Sequence, residues 1–582
     1  MRNHEAHTPS TFNPVIPWRE LEKRLTWGKY GEAEEAPLRP PTPAPSPSQE
    51  PDKKGRKLDP PYAELHAHSH FSFLDGASSP AELVAEAARL GLHGLAVTDH
   101  DGFQGAMQYK QAAEDADLAT VFGAELSLEL PAPQTGVADP VGHHLLVLAR
   151  GAEGYRRLSA AIGKAQLAGG EKGRPVYGLE DLAAAADHEH WEVLTGCRKG
   201  TVRQALERHG LTGDGADAAA VELKKLIDLF GEQHVLVELT DHDQPLDDAR
   251  NDLLAALAGR FGLPVLATGN VHYARPGDYR LATAMAALRA RRSLPEMDGY
   301  LPGAPTAHLR SGAEMARRFA AFPGAVRRTV ETAAECAFDF DTVKPRLPDF
   351  PVPEGHTEAS WLRELTALGA LRRYGTESEN PQAYRQIAHE LKVIEELEFP
   401  GYFLIVHEIT EFCRANDILC QGRGSAANSA VCYALGITSV DSVRHGLVFE
   451  RFLSPVRDGP PDIDVDIEAG RRELVIQHVY DKYGRDRAAQ VCNVITYRGR
   501  MALRDSARVL GYSPGTVDAW SGRAGPYEPL PIPKPGEGEA VGTEPDPAVE
   551  PDPAAEPDPA VKTNPEAIPD QVLELAAQLE RR

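Results

Sequence analysis

Cysteine, methionine and tryptophan are scarce in this 582-residue chain, at six, six and five residues. The cysteines (Cys197, Cys336, Cys413, Cys420, Cys432 and Cys492) form no CxxC pair and no short ladder, which excludes a disulfide framework and a zinc ribbon and leaves reduced thiols as the default. No stretch approaches the ~18 uninterrupted apolar residues of a membrane-spanning helix, and the opening MRNHEAHTPSTF lacks the apolar core of a signal peptide. A cytoplasmic protein with no membrane partner is expected. The chain is too long for one hydrophobic core: at roughly 100 to 200 residues per domain, three or more units are implied. Its 42% apolar and 25% charged residues suit globular domains.

Positive charge is also in deficit, 62 Lys and Arg against 86 Asp and Glu, for a formal net charge of −24. That balance argues against a nucleic-acid partner only if the acids are spread evenly. They are not. Residues 536–570 concentrate acids in a repeat of the type Glu544-Pro545-Asp546-Pro547-Ala548-Val549, whereas 471–508 is basic, with Arg471, Arg472, Lys482, Arg485, Arg487, Arg498, Arg500, Arg504 and Arg508. The repeat, whose prolines remove backbone donors and whose acids repel, reads as an extended surface insertion over about 526–565. Residues 31–60 are rich in Pro, Ser and charge and read as a flexible tether behind a short leader that holds Pro17-Trp18-Arg19-Glu20-Leu21. The helical spacing of Gln571–Leu579 ends without a cap at Arg582, so truncation is expected.

Between the tethers, residues 61–285 alternate β-branched runs with helical patterns such as Ala81–Leu90. Strand and helix alternation implies a parallel sheet or barrel with functional residues at the carboxyl ends of the strands. Potential metal ligands gather at those ends. His66-Ala67-His68 follows Tyr62–Leu65, and two imidazoles two residues apart on a strand share a face. Asp75 sits on a turn, Thr98-Asp99-His100 and Gly123-Ala124-Glu125 end apolar strands, and His143-His144 opens another. Cys197 follows Leu194-Thr195-Gly196, and Asn270-Val271-His272 ends Pro264–Thr268. A lone HxH is weak evidence; this company makes chance a poor explanation.

These residues resemble the polymerase-and-histidinol-phosphatase (PHP) family, a distorted barrel with a trinuclear metal centre that hydrolyses phosphoesters. The resemblance implies the ligands His66, His68, Asp75, His100, Glu125, His144, Cys197, Asn270 and His272, holding Zn²⁺ or Mn²⁺; either His143 or His144 could face the rim. Asn270 departs from the family pattern, which usually has Asp there, and an amide oxygen brings no charge to a cation. Hydrolysis and a purely scaffolding role both stand as readings.

A second constellation follows. Gly422-Arg423-Gly424-Ser425-Ala426-Ala427-Asn428-Ser429 lies between Ile418-Leu419-Cys420 and the helix-compatible Ala430–Leu435. Glycines admit close backbone approach, and Ser and Asn at a helix start direct donors outward, an arrangement suited to an anion. It matches neither a Walker A loop nor a GxGxxG turn. Further on, Pro461-Asp462-Ile463-Asp464-Val465-Asp466-Ile467-Glu468 alternates acid with aliphatic. On a strand the three aspartates would share one face, a costly row unless divalent cations neutralise it. A phosphate cradle beside paired carboxylates suits two-metal phosphoryl transfer.

GRGSAANS, FERFLSP (Phe449–Pro455) and PDIDVDIE resemble the palm of the bacterial family C DNA polymerases, the polymerase III alpha type, and the order of PHP domain then palm is specific to that family. The resemblance, from about Pro61 to Leu510, implies an α/β multidomain chain. Residues 1–60 would be leader and linker, 61–285 a distorted (β/α) PHP barrel, 286–493 a nucleotidyltransferase-like α/β palm, and 494–582 a partial helical thumb. It implies Asp462 and Asp464 as catalytic Mg²⁺ ligands, Arg423, Gly424 and Ser425 as nucleotide-binding residues, and DNA contacts from Arg498, Arg500 and Arg504. The implied partners are primer–template DNA, dNTPs, a sliding clamp and accessory mutagenesis proteins. The Trp18 leader, Phe71-Ser72-Phe73 and Asn270 resemble the error-prone branch, used in DNA repair and damage-induced mutagenesis. The family's third palm aspartate has no counterpart among the 118 positions after Asp464, so little or no polymerase activity is expected of these 582 residues alone. Two alternatives are a PHP phosphoesterase or 3′-exonuclease and an inactive DNA-binding remnant.

Overall fold

A computed structural model describes residues 60–114, 116, 118–343, 348–453, 461–491, 493–524, 568–580 and 582. The leader and tether (1–59), Pro455 of FERFLSP, Cys492 and the acidic repeat lie outside the described residues. Among those described, no helix is long and apolar enough to cross a membrane. The chain divides into two compact units, one reaching Val343 and resuming at Val494, the other Lys344–Asn493.

The first unit is built on seven strands hydrogen-bonded in sequence order: β1 (Ala63–Glu64), β2 (Gly94–Val97), β3 (Ala119–Leu128), β4 (His143–Ala149), β5 (Trp191–Leu194), β6 (Val235–Thr240) and β7 (Val265–Thr268). Just past β1 and β7, Ala67 bridges Val271. His68 N donates to Val271 O and Val271 N to His66 O, both at 2.8 Å, which nearly closes the sheet into a barrel. The expectation of a parallel sheet holds for four of the six pairings. β4 runs antiparallel to both β3 and β5, because β3 turns back into β4 with no crossover helix between them. The reversal brings the start of β4 to the rim where the other strands end.

Alternation then decides what fills the barrel. Ala63, Ala96, Val121, Leu146, Leu148, Leu194, Leu236 and Leu266, drawn from all seven strands, form one buried cluster with Ala333 and Cys336. The opposite positions pack under the outer helices around Leu95, Phe122, Val147, Val193, Val237 and Ala267. Helix Pro323–Cys336 contributes to the inner cluster and accepts Ala63 N–H on Thr329 Oγ1 (3.1 Å). That contact is why the first unit runs to Val343: the expected boundary at 285/286 falls inside helix Tyr279–Ala290. The same helix packs, through Leu281, Ala284 and Met285, with helices Gly499–Val509, Pro514–Arg523 and Asp570–Leu579, so the segment expected as a partial thumb belongs to the first unit. The expected helix at Ala81–Leu90 spans Pro80–Arg89, started by a reciprocal Ser79 and Glu82 capping box.

The second unit packs helices Glu358–Tyr374, Pro381–Glu396, Pro400–Ala415 and Ala430–Ala434 around Leu362, Ile387, Phe403, Val431 and Phe452. Its sheet, among the described residues, is one antiparallel pair, β8 (Cys420–Arg423) against β9 (Asp464–Ile467).

Candidate metal centre and phosphate turn

Continuing each inward-facing row of the barrel to its rim changes its chemistry. Val121 leads by twos to Glu125, Leu148 to His144, Leu236 to Glu238, and Leu266 to Thr268 and Asn270. Glu125 is the hub. Its carboxylate lies 2.8 Å from His144 Nδ1, 3.4 Å from both His66 Nε2 and His68 Nε2, and 3.6 Å from His100 Nδ1. Asp75 forms a second node, 3.0 Å from His272 Nδ1 and 3.4 Å from His100 Nε2. Cys197 Sγ sits 3.4 Å from Glu125 Oε1 and 3.9 Å from His144 Nδ1.

Three overlapping groups could each hold a cation: His66, His68 and Glu125; His68, Asp75 and His100; His100, Glu125 and His144. His144 and His143, left open by the sequence, part across the strand. His144 meets Glu125, while His143 Nε2 lies 3.4 Å from Glu129. Asn270 adopts φ 41°, and its Oδ1 is buried with no hydrogen-bond partner. It lines a cavity of about 170 Å³ with Asp75, His272, Arg198, Arg203 and Arg289.

Side chains behind the candidate ligands orient them, and sequence reading passed these over. Glu238 Oε1 lies 2.7 Å from His66 Nδ1 and also accepts from Thr268, so Nδ1 carries a proton and Nε2 faces the centre. Ser72 donates to Asp99 (2.7 Å) and lies 3.1 Å from His68 Nδ1, turning His68 Nε2 inward too. The two Nε2 atoms are then only 3.2 Å apart, a spacing that needs a proton or a cation between them. Burial opposes charge on His66, but Glu238 and Glu125 outweigh it and hold its pKa up at about 10. Burial and neighbouring histidines keep His68 well below its ordinary range, and burial pushes His144 down to about 4. Burial raises the Glu125 carboxyl, yet His144 and His66 draw it well below the usual range. Arg289, also missed, pairs with Asp75. The donor set of imidazole, carboxylate and thiol is one divalent metals favour, and a cation bound between the two facing Nε2 atoms would take the place of the proton that keeps His66 charged.

In the second unit, register aligns the candidate palm residues. Arg423 stands opposite Asp464, and Gln421 opposite Asp466. Arg423 Nε lies 2.9 Å from Asp466 Oδ1 and its guanidinium 3.4 Å from Asp464 Oδ2. A cation already offsets the acidic row that the sequence assigns to metals alone. Asp462 precedes the strand, and its carbonyl accepts from Ser425 Oγ at 2.8 Å. Ile463 is buried, and Ile467 packs on the small core of Cys413, Ile418 and Val475. Gly424 (φ +63°) turns the chain where a Cβ would come within 3.5 Å of Asp464 Oδ2; a Cβ on Gly422 would fall 2.6 Å from Ile437 O.

The helix start that reads as an anion site is occupied from within. Glu390 accepts from Ala430 N, Val431 N and Ser429 Oγ at 2.9, 3.0 and 2.7 Å. Its signal was an acid on the apolar face of Ile387, Leu391 and Ile394. Arg500, Arg504 and Arg508 follow at helical spacing in the first unit, with Asp505 3.4 Å from Arg504 and 3.6 Å from Arg508; Arg498 caps that helix.

Residues 64–242 match the PHP domain family, and residues 360–537 match the bacterial DNA polymerase III alpha NTPase domain. The chain is 59% identical over 514 residues to an error-prone DNA polymerase of Mycolicibacterium paratuberculosis, covering 88% of this chain and 46% of that protein. It is 62% identical over 460 residues to one from Mycobacterium bovis (79% and 42%) and 51% identical over 608 residues to one from Nocardia farcinica (97% and 50%). The chain thus spans about half the length of these relatives.

Proposed function

We propose, for a chain that belongs to the bacterial DNA polymerase III alpha family and is similar to its error-prone members, that it serves template-directed addition of dNTPs to a primer 3′ end in DNA repair and damage-induced mutagenesis. The observation that carries the reading is the β8–β9 register, which sets the Gly424 turn against Asp464. Asp462 and Asp464 would hold Mg²⁺, which when bound lowers the pKa of the primer hydroxyl and stabilises the leaving oxygen. Arg423, now bridging Asp464 and Asp466, would turn to the triphosphate once cations take over the carboxylates. Gly424 and Ser425 supply a close backbone approach and a hydroxyl. Arg498, Arg500 and Arg504 would contact primer–template phosphates. A sliding clamp and accessory mutagenesis proteins are the partners proposed from the full-length family, and the protein would work in the cytoplasm. The test is primer extension by a full-length relative with both aspartates aligned to Asp462 and Asp464 changed to alanine. Synthesis should fall to background; undiminished elongation overturns the reading.

A second reading concerns the first unit. Three overlapping cation sites beside an arginine-lined cavity suit a phosphoesterase or 3′-exonuclease using Zn²⁺ or Mn²⁺. Release of 3′ nucleotides from DNA with either metal, lost in H68A, would support it; release unchanged in H68A would refute it.

A further inference from the structure

Glu390 is completely buried on helix Pro381–Glu396, yet its carboxylate is fully engaged. Oε1 accepts from Ala430 N (2.9 Å) and Gln386 Nε2 (3.0 Å), and Oε2 from Ser429 Oγ (2.7 Å) and Val431 N (3.0 Å). All four donors are neutral. A residue needed only to fill this face, among Ile387, Leu391 and Ile394, would be better apolar, because taking a carboxylate out of water is costly even when it is well bonded. The carboxylate instead reaches a place that matters to the neighbouring turn. Ser429, while donating to Glu390, accepts from Cys432 N at 3.0 Å and so starts helix Ala430–Ala434. One residue earlier, Asn428 Nδ2 donates to Ser425 O (3.0 Å), and Ser425 Oγ donates to Asp462 O (2.8 Å). An unbroken line of hydrogen bonds and chain runs from Glu390 through the Gly424–Asn428 turn to the candidate metal ligands.

We infer that Glu390 is a positioning residue: an internal anion that fills the donor end of helix Ala430–Ala434, pins the Gly424–Asn428 turn beside Asp462, and leaves an incoming triphosphate to Arg423 and the turn itself. The nucleotide part rests on the polymerase reading above; the pinning does not. Without the carboxylate the two amides would be free to take phosphate oxygens, and the turn would lose its anchor.

The test uses the whole 582-residue chain with E390Q, E390A and E390D. Amide hydrogen exchange over 424–432 reads the pinning, and calorimetric titration with Mg²⁺–dATP reads its consequence. In E390A and E390Q, exchange over 424–432 should quicken about tenfold or more and dATP affinity fall about tenfold, with helix Glu358–Tyr374 exchanging as before and E390D recovering part of both. E390Q, close to isosteric, serves if E390A fails to fold. Unchanged exchange in E390Q, or dATP protecting the Ala430 and Val431 amides in the unaltered chain, overturns the proposal. If the unaltered chain binds no dATP while exchange still quickens in E390Q, the nucleotide site fails and the pinning stands.

Discussion

The two candidate metal-binding regions solve the same electrostatic problem in opposite ways. At the barrel rim His66, His68 and Glu125 are all but inaccessible, and every charge there is answered by another side chain in the same cluster. On the β8–β9 pair the Asp464 and Asp466 side chains are 42% and 66% exposed and answered by one arginine that is itself more than half exposed. Buried charge is stable only when its partners are fixed in place, whereas exposed charge tolerates loose pairing because water screens it. The rim is therefore preformed, with orienting groups behind its candidate ligands, and the β8–β9 pair is a surface whose carboxylates are free to change partners.

The sharpest way to break that contrast is to remove one carboxylate from each region. Glu125→Ala leaves the buried His66 charge without one of its two counter-ions and should cost about 3 to 5 kcal/mol. Asp464→Ala, which relieves repulsion from Asp466 while loosening an exposed pair, should stay within about 1 kcal/mol. Urea denaturation of the two variants measures both. Equal costs would mean that burial does not separate the regions.

A smaller effect sharpens the account of the rim. Glu238→Gln keeps the size of the side chain but replaces the carboxylate that fixes the His66 tautomer. Affinity for Zn²⁺ or Mn²⁺ should drop about 10- to 100-fold, as read by metal content after dialysis against graded chelator. Retention of full affinity would reduce Glu238 to core filling.

The same difference governs what was legible in the sequence. Most candidate rim ligands stood out because they begin or follow an apolar strand, Asp75 on its turn being the exception, and a barrel brings such ends together, so residues as distant as His66 and Asn270 could be placed at one rim. The acids of β9 and its approach stood out through strict alternation. Glu238 and Glu390 were passed over because each is a single acid inside an apolar pattern, and only tertiary structure reveals the donors it meets. The reversal of β4 was hidden because a strand's period of two carries no direction. Membership of 286–343 in the first unit depends on Ala333 and Cys336 plugging a barrel already formed by other segments, and no local pattern reports that.

Titration separates the regions again. Burial raises the Glu390 carboxyl above its ordinary range, against the pull of its hydrogen bonds. A carboxyl that is easier to protonate folded than unfolded contributes stability that is complete below the unfolded pKa and lost as pH rises through the folded one. The second unit should thus lose this increment on going from about pH 4 towards neutrality, and Glu390→Gln should flatten that part of the profile. Denaturant midpoints across this range, compared between the two proteins, check it; parallel profiles would show that Glu390 titrates alike in both states.

The smallest stability effect belongs to the arginines of helix Gly499–Val509. Arg500 is exposed and Arg504 only partly covered, whereas the core on this helix is formed by Ala502 and Leu503. Changing both to alanine should alter stability by no more than about 0.5 kcal/mol each. If they meet DNA phosphates, binding should weaken uniformly across sequences, and the dependence of log affinity on log salt should become shallower by about 0.9 per arginine. Filter binding from 50 to 200 mM salt measures that slope. A slope that stays the same would leave these side chains as a solvated face, because a cation that releases no counterion on binding is not in contact with the backbone.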